Sequence, residues 1–184
     1  MLHGLGLAFA ALAAPLPQDR PGNWMVWGFY GQSWFILGSE DLRRGGGLAV
    51  QWIRPEPRFT FRRNRGSLVL EANYTRTEGG DKFEFEADKT HAMGVAALAR
   101  YEFRNERGPH FYVEGGWGVQ WADRITIDLP SHFNSTPILG AGFIIPTGKT
   151  EVYVGGRWIH VSNGGTKGNN PGQNQLFFMV GIRF

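Results

Sequence analysis

From about Asn23 onward the chain alternates apolar and polar positions with a period of two, interrupted by clusters of Gly, Pro, Asn and Asp. Successive side chains of a β-strand point to opposite faces, so the pattern predicts strands. Segments of this kind are expected near residues 24–38, 45–54, 66–78, 90–104, 109–123, 135–146, 149–161 and 173–184. In the fifth, Phe111, Val113, Trp117, Val119 and Trp121 share one face, and Tyr112, Glu114, Gly116, Gly118 and Gln120 share the other. The fourth sets Met93, Val95, Ala97, Tyr101 and Phe103 against Gly94, Arg100 and Glu102; the third sets Leu68, Leu70 and Tyr74 against Glu71 and Asn73.

Alternation alone does not say which face looks inward. In a soluble barrel or sandwich the apolar set is the core; in an outer-membrane barrel it faces lipid and the polar set fills the lumen. The membrane arrangement is favoured by the even number of segments, the charges of both signs on the polar face, and the aromatics near segment ends, where interfacial girdles lie. The last segment, LFFMVGIRF, stops on Phe184 of the apolar face, an ending that resembles those of bacterial outer-membrane barrels. The expected fold is all-β, an eight-stranded antiparallel up-and-down outer-membrane β-barrel. Eight strands leave a lumen just wide enough for side chains, so Glu71, Glu102, Glu114, Glu151, Arg100, Arg157 and Arg183 are expected to pair there. The rival is a soluble exported barrel with an apolar ligand inside.

The N-terminus, MLHGLGLAFAALAAPLPQD, runs apolar from Leu5 to Ala14, ends in small residues and then turns polar, the outline of a signal peptide, although it lacks a basic start. Residues 1–18 are read as that leader and 19–184 as a single barrel domain. With both termini periplasmic, the connections near 39–44, 79–89, 124–134 and 162–172 are extracellular. Arg43, Arg44, Lys89, Arg124 and Lys167 fall in or beside them and read as solvated loop charges. The periplasmic segment 55–65 is longer than such turns usually are.

Composition narrows the chemistry. The chain has 27 Gly, 14% aromatic residues, no Cys and a formal charge of +3. Disulfide scaffolding, thiolate metal sites and cysteine nucleophiles are excluded. The charge is too small and too scattered for a nucleic-acid surface, so no nucleic-acid partner is expected. His91, His110 and His132 show no regular spacing to carboxylates, so no metal site and no cofactor is expected.

One stretch stands apart: RWIHVSNGGTKGNNPG, Arg157 to Gly172. Val152, Val154, Gly156, Trp158, His160 and Ser162 share the apolar face of their segment, so a histidine and a serine are carried on the side that meets lipid. They are separated by roughly 6.6 Å of strand rise, within reach of a leaning imidazole. If the last two segments form a hairpin whose paired indices sum to about 334, Asn174 lies opposite His160. Two readings fit these groups. They are a wet rim where polar residues are ordinary, or a nucleophile and base aimed at a lipid ester.

The stretch GGRWIHVSNGGTKGNNPG followed by a final apolar strand resembles the C-terminal signature of the PagL-type lipid A 3-O-deacylases, the acyloxyacyl hydrolase group of outer-membrane enzymes. The likeness covers about the last 30 residues at motif level. It implies a serine esterase on the barrel exterior, with Ser162 as nucleophile and His160 as base, releasing the 3-linked acyl chain of lipid A in the outer leaflet. By position it makes Asn163, with the amides of Gly164 or Gly165, the oxyanion-hole candidate. Family members with a full triad carry a glutamate where this chain has Asn174, or Gln173 if the match slips by one. An amide there accepts the imidazole N–H without supplying a charge, so slow turnover, or none, is expected. The competing expectation is a non-enzymatic structural or adhesive barrel with a degenerate site.

Overall fold

The computed structural model describes residues 22–61, 64–79, 89–104, 108–168 and 170–184; the expected leader at 1–18 lies outside them. The strands are β1 (Trp24–Trp34), β2 (Arg43–Pro55), β3 (Arg65–Gly79), β4 (Lys89–Phe103), β5 (His110–Ala122), β6 (Phe133–Thr147), β7 (Thr150–Val161) and β8 (Gln173–Arg183). Each pairs antiparallel with its sequence neighbours, and β1 pairs with β8, closing the sheet into an eight-stranded barrel without free edges. Strands of 11 to 15 residues exceed the roughly 9–11 that cross a bilayer and project beyond it.

Observed boundaries follow the expected ones, with instructive departures. The alternation of β1 runs on toward Gly38, but the strand ends at Trp34. Leu37 (φ 54°) and Gly38 (φ 92°) enter the left-handed region and turn the chain. The long segment after β2 contains a 3-10 turn, Pro57–Phe59, started by the Glu56 side chain accepting from the Arg58 N–H. Gly66 lets this turn fold onto β3, because a Cβ there would lie 2.2 Å from Phe59 Cβ.

The barrel is inverted relative to a soluble one. Leu48, Met93, Trp117, Leu139, Phe143 and Phe178 are about as exposed as side chains become on a sheet, from 56% to 66%. Such a surface faces hydrocarbon, which asks only that the backbone be paired, as closure ensures. Phe103, Phe111 and Phe143 make a row of edge-on and tilted rings at the end of the barrel where β1 begins and β8 stops, 5.8 and 5.7 Å between centroids, the composition of an interfacial girdle.

Inside, the expected ion pairs form, and around the middle of the lumen they join into a circuit. Gln51 donates to Glu71 (2.6 Å) and accepts from Arg100 (2.7 Å); Arg100 donates to Glu114 (2.7 Å). Arg157 donates to Glu114 (2.9 Å) and returns to Glu71 (2.8 Å). Two guanidiniums and two carboxylates cancel, so no net charge is buried. The Arg100 guanidinium also lies 5.0 Å from the Tyr153 ring centroid and 5.5 Å from that of Trp27. Nearer the end where β8 stops, Arg183 meets Glu151 (3.2 Å) and Glu102 (3.8 Å). Met25, Trp27, Ile53, Tyr112, Ile144 and Tyr153 belong to the hydrophobic cluster of the interior. Among the described residues the lumen is filled by side chains, with cavities of only about 20 Å³ between them.

Arg43 departs from the solvated charge expected of it. It is 2% exposed and turned inward, donating to Thr77, to Thr90 and to Asp41. As the first residue of β2 it takes the strand's inward phase, and buried hydroxyls and a carboxylate replace its water. Arg44, Lys89, Arg124 and Lys167 are exposed.

Candidate active site

The last hairpin has the register that sets His160 against Asn174. Along β7 the inward phase runs Glu151, Tyr153, Arg157 and Val161, buried in the lumen, so His160 and Ser162 belong to the outward phase. The His160 ring stacks on the Trp158 indole, two residues earlier on the same face, with centroids 6.2 Å apart and planes 28° apart. Its Nδ1 lies 2.9 Å from Asn174 Oδ1, and Asn174 Nδ2 lies 2.6 Å from the carbonyl oxygen of Ile36.

These contacts determine the tautomer. A carbonyl oxygen only accepts, so the atom of Asn174 facing Ile36 is the amide nitrogen, and the oxygen faces the imidazole. That oxygen also only accepts, so His160 Nδ1 carries a proton, and in the neutral ring Nε2 holds the lone pair. Asn174 is only 1% exposed, because the connection from β1 to β2 lies over it. Gly172 closes the far side of the ring. A Cβ at Gly172 would lie 2.6 Å from His160 Cε1 and 3.0 Å from Nε2, and its φ of +76° disfavours any side chain.

Ser162 continues the outward phase one step past the end of β7. Its backbone is held by a bridge to Ser135 of β6, with Ser135 N donating to Ser162 O (2.7 Å) and Ser162 N donating to Ser135 O (3.1 Å). The described hydrogen bonds of Ser162 are those of its backbone, leaving the hydroxyl available. Asn163, 6% exposed, shapes the turn that follows: Oδ1 accepts from Gly165 N (2.9 Å) and Nδ2 donates to the Lys167 carbonyl (2.8 Å). The Asn163 side chain and the Gly165 amide are thus engaged within the turn. Gly164 has a positive φ of 66° and open space around it, and among the described residues its amide has no acceptor. Gln173, the alternative orienter, is 2% exposed and accepts from Gln175 on the lumen side, so it does not meet the imidazole.

Two contributors escaped the reading of the sequence. One is the Ile36 carbonyl, a backbone atom without a sequence signature. The other is Asp128, in the connection between β5 and β6, fully buried though flanked by exposed Ile127. Its carboxylate accepts from Ser39 Oγ (2.7 Å), Glu40 N (2.9 Å) and Asp41 N (2.9 Å), and its carbonyl from Gly172 N (3.3 Å). Gly172 was visible as part of Asn-Pro-Gly, but its place against the imidazole was not. Among the described residues no group of three or more His, Cys, Asp or Glu is placed to hold a metal ion.

A family model described as lipid A 3-O-deacylase (PagL) matches residues 44–183, well over half of the chain. The chain belongs to the PagL family. Among solved structures it is similar to the crystal structure of the outer membrane enzyme PagL, at 22% sequence identity and TM-score 0.65, covering 85% of this chain and 97% of that one. It is also similar to the N-terminal β-barrel domain of Pseudomonas aeruginosa OprF, at 17% identity and TM-score 0.44, covering 90% and 100%. No curated protein matches the chain. The likeness to PagL establishes the fold, and with the family it makes this an outer-membrane barrel of a lipid A deacylase family. The matched region contains the outward His160, Ser162 and Asn174.

Proposed function

We propose that this PagL-family barrel is a serine esterase that removes the 3-O-linked acyl chain of lipid A from the outer leaflet. The observation that carries the reading is the contact between His160 Nδ1 and Asn174 Oδ1 on the lipid-facing wall. It supports the reading of the imidazole as a base acting through Nε2, two residues from a hydroxyl with no described partner. A filled lumen leaves the exterior as the place for chemistry.

In the proposed reaction His160 Nε2 takes the proton of Ser162 as its Oγ attacks the ester carbonyl. The oxyanion is held by the Gly164 amide, and Asn163 holds the turn that presents it. The sugar hydroxyl leaves with the proton from His160, and water, deprotonated by the same nitrogen, releases the fatty acid from Ser162. Catalytic hydrogen bonds tighten in the substrate complex, so the Ser162–His160 contact is expected to close there. Every step uses this chain's own groups and water.

An amide in the orienting position has a specific consequence. Acid-to-amide exchange in a serine protease triad costs about 10⁴ in kcat through the wrong tautomer, as the best-known example records. Here the Ile36 carbonyl imposes the right one, so the expected loss is confined to the missing charge beside the imidazolium. Purified barrel mixed with lipopolysaccharide is expected to release free fatty acid, and Ser162→Ala or His160→Ala barrels that assemble normally are expected to release none. Release by either variant would refute the assignment, and no release by the parent would favour a barrel without enzymatic function.

A further inference from the structure

We infer that Asp128 is a positioning residue for the proposed hydrolysis, setting the tautomer of His160 through the loop that holds Asn174. The inference rests on the esterase reading for its kinetic consequence but not for its structural one. Its basis is a chain of contacts that crosses the extracellular end of the barrel. Asp128 anchors residues 39–41 by accepting one hydroxyl and two backbone N–H groups. That anchor fixes the connection between β1 and β2, in which the Ile36 carbonyl faces Asn174 Nδ2. Asn174 Oδ1 then faces His160 Nδ1.

The decisive physical point is that an amide has two ends. A carboxylate in the orienting position offers an acceptor whichever way it is turned, whereas an asparagine rotated by half a turn presents N–H₂ to the imidazole. The ring would then carry its proton on Nε2 and could not deprotonate Ser162. Only an acceptor on the other side selects the productive orientation, and the Ile36 carbonyl is that acceptor.

The loop bearing it has its own turn hydrogen bonds, Ile36 N to Trp34 O (2.8 Å) and Ser39 N to Ile36 O (3.2 Å), but little burial. Phe35, Ile36 and Leu37 are 51%, 51% and 71% exposed, and Leu37 sits at φ 54°, which L side chains seldom adopt. Asp128 supplies the restraint. It is fully buried, yet its carboxylate touches neither the imidazole nor the serine. The same residue's carbonyl accepts from Gly172 N, and Gly172 packs against the His160 ring, so both sides of the imidazole are referred to one residue. A chain with an asparagine orienter needs such a restraint more than one with a glutamate.

The test is the tautomer of His160, read by ¹⁵N NMR on the full-length barrel in lipid nanodiscs, with the signal assigned by its loss in His160→Gln. The parent is expected to show protonated Nδ1 and unprotonated Nε2. In Asp128→Asn, which cannot satisfy all three donors with one oxygen, the signal is expected to move toward the opposite tautomer. Ser39→Ala, which removes a single bond and leaves the carboxylate, is expected to move it less in the same direction. It keeps the question answerable should Asp128→Asn fail to assemble. In kinetics, Asp128→Asn is expected to lower kcat at least about tenfold with KM changed by less than about twofold. With Asn174→Glu in place, whose orientation needs no selection, the same change at Asp128 is expected to cost little. A parent-like tautomer in both variants, or a loss confined to KM, would overturn the inference. If the parent hydrolyses nothing, the esterase reading fails while the tautomer measurement still decides this one.

Discussion

Gly172 has no side chain, and that absence keeps the imidazole in place. An added methyl would enter within 2.6 Å of His160 Cε1, at a backbone angle that already penalises it. The ring cannot retreat easily, because Trp158 stacks beside it and Asn174 holds Nδ1. Displacing a catalytic group by about 1 Å costs on the order of 100-fold. Gly172→Ala is therefore expected to lower kcat by about that factor while the barrel still shows its heat-dependent mobility shift on gels. Asn174→Glu is expected to act oppositely, raising kcat about tenfold by placing a charge beside the imidazolium; steady-state fatty-acid release measures both. At this scale the sequence showed much. The period of two put His160 and Ser162 on the outward face, and a paired-index sum of 334 put Asn174 opposite the histidine. What it could not show is which end of the Asn174 amide meets the ring. That depends on a backbone carbonyl 138 residues away, and no residue type encodes a carbonyl.

The elements divide into two ends with different duties. Strand positions were legible because alternation is a local property and lipid outside with charge inside makes it strong. The ends of strands were less so. β1 stops at Trp34 although its apolar run continues, since the chain is turned there by Leu37 and Gly38 and tied down by Asp128, a contact with no local signature. The 3-10 turn between β2 and β3 was likewise hidden, because its fit depends on Gly66 lying beneath Phe59. Gly66→Ala is expected to unseat that turn and to destabilise the barrel by about 1–3 kcal/mol, measured by unfolding in detergent. Fatty-acid release below the unfolding range is expected to stay within about twofold of the parent, because Gly66 and the site occupy opposite ends. A large loss of activity would show that the two ends are coupled.

For the whole molecule the filled lumen is what favours the proposed exterior site. The circuit of Gln51, Glu71, Arg100, Glu114 and Arg157 closes around the barrel interior with balanced charge. Its four charged members were readable as part of a lumen network from their sequence phase, whereas Gln51 was not, and the order of their pairing depends on how the rolled sheet brings non-adjacent strands together. Breaking one partner of a buried pair costs about 3–5 kcal/mol, because the other is left charged and unmatched. Glu114→Gln leaves Arg100 without a carboxylate and Arg157 with Glu71 alone, and is expected to lower barrel stability by about that amount, read from denaturant midpoints in detergent. The central claim is that the wall facing lipid carries an esterase. Its most direct measurement is mass spectrometry of lipid A from a Gram-negative host making the parent chain or Ser162→Ala at equal outer-membrane levels. The account predicts lipid A lacking one 3-linked acyl chain with the parent and intact lipid A with the variant; identical lipid A from both would contradict it.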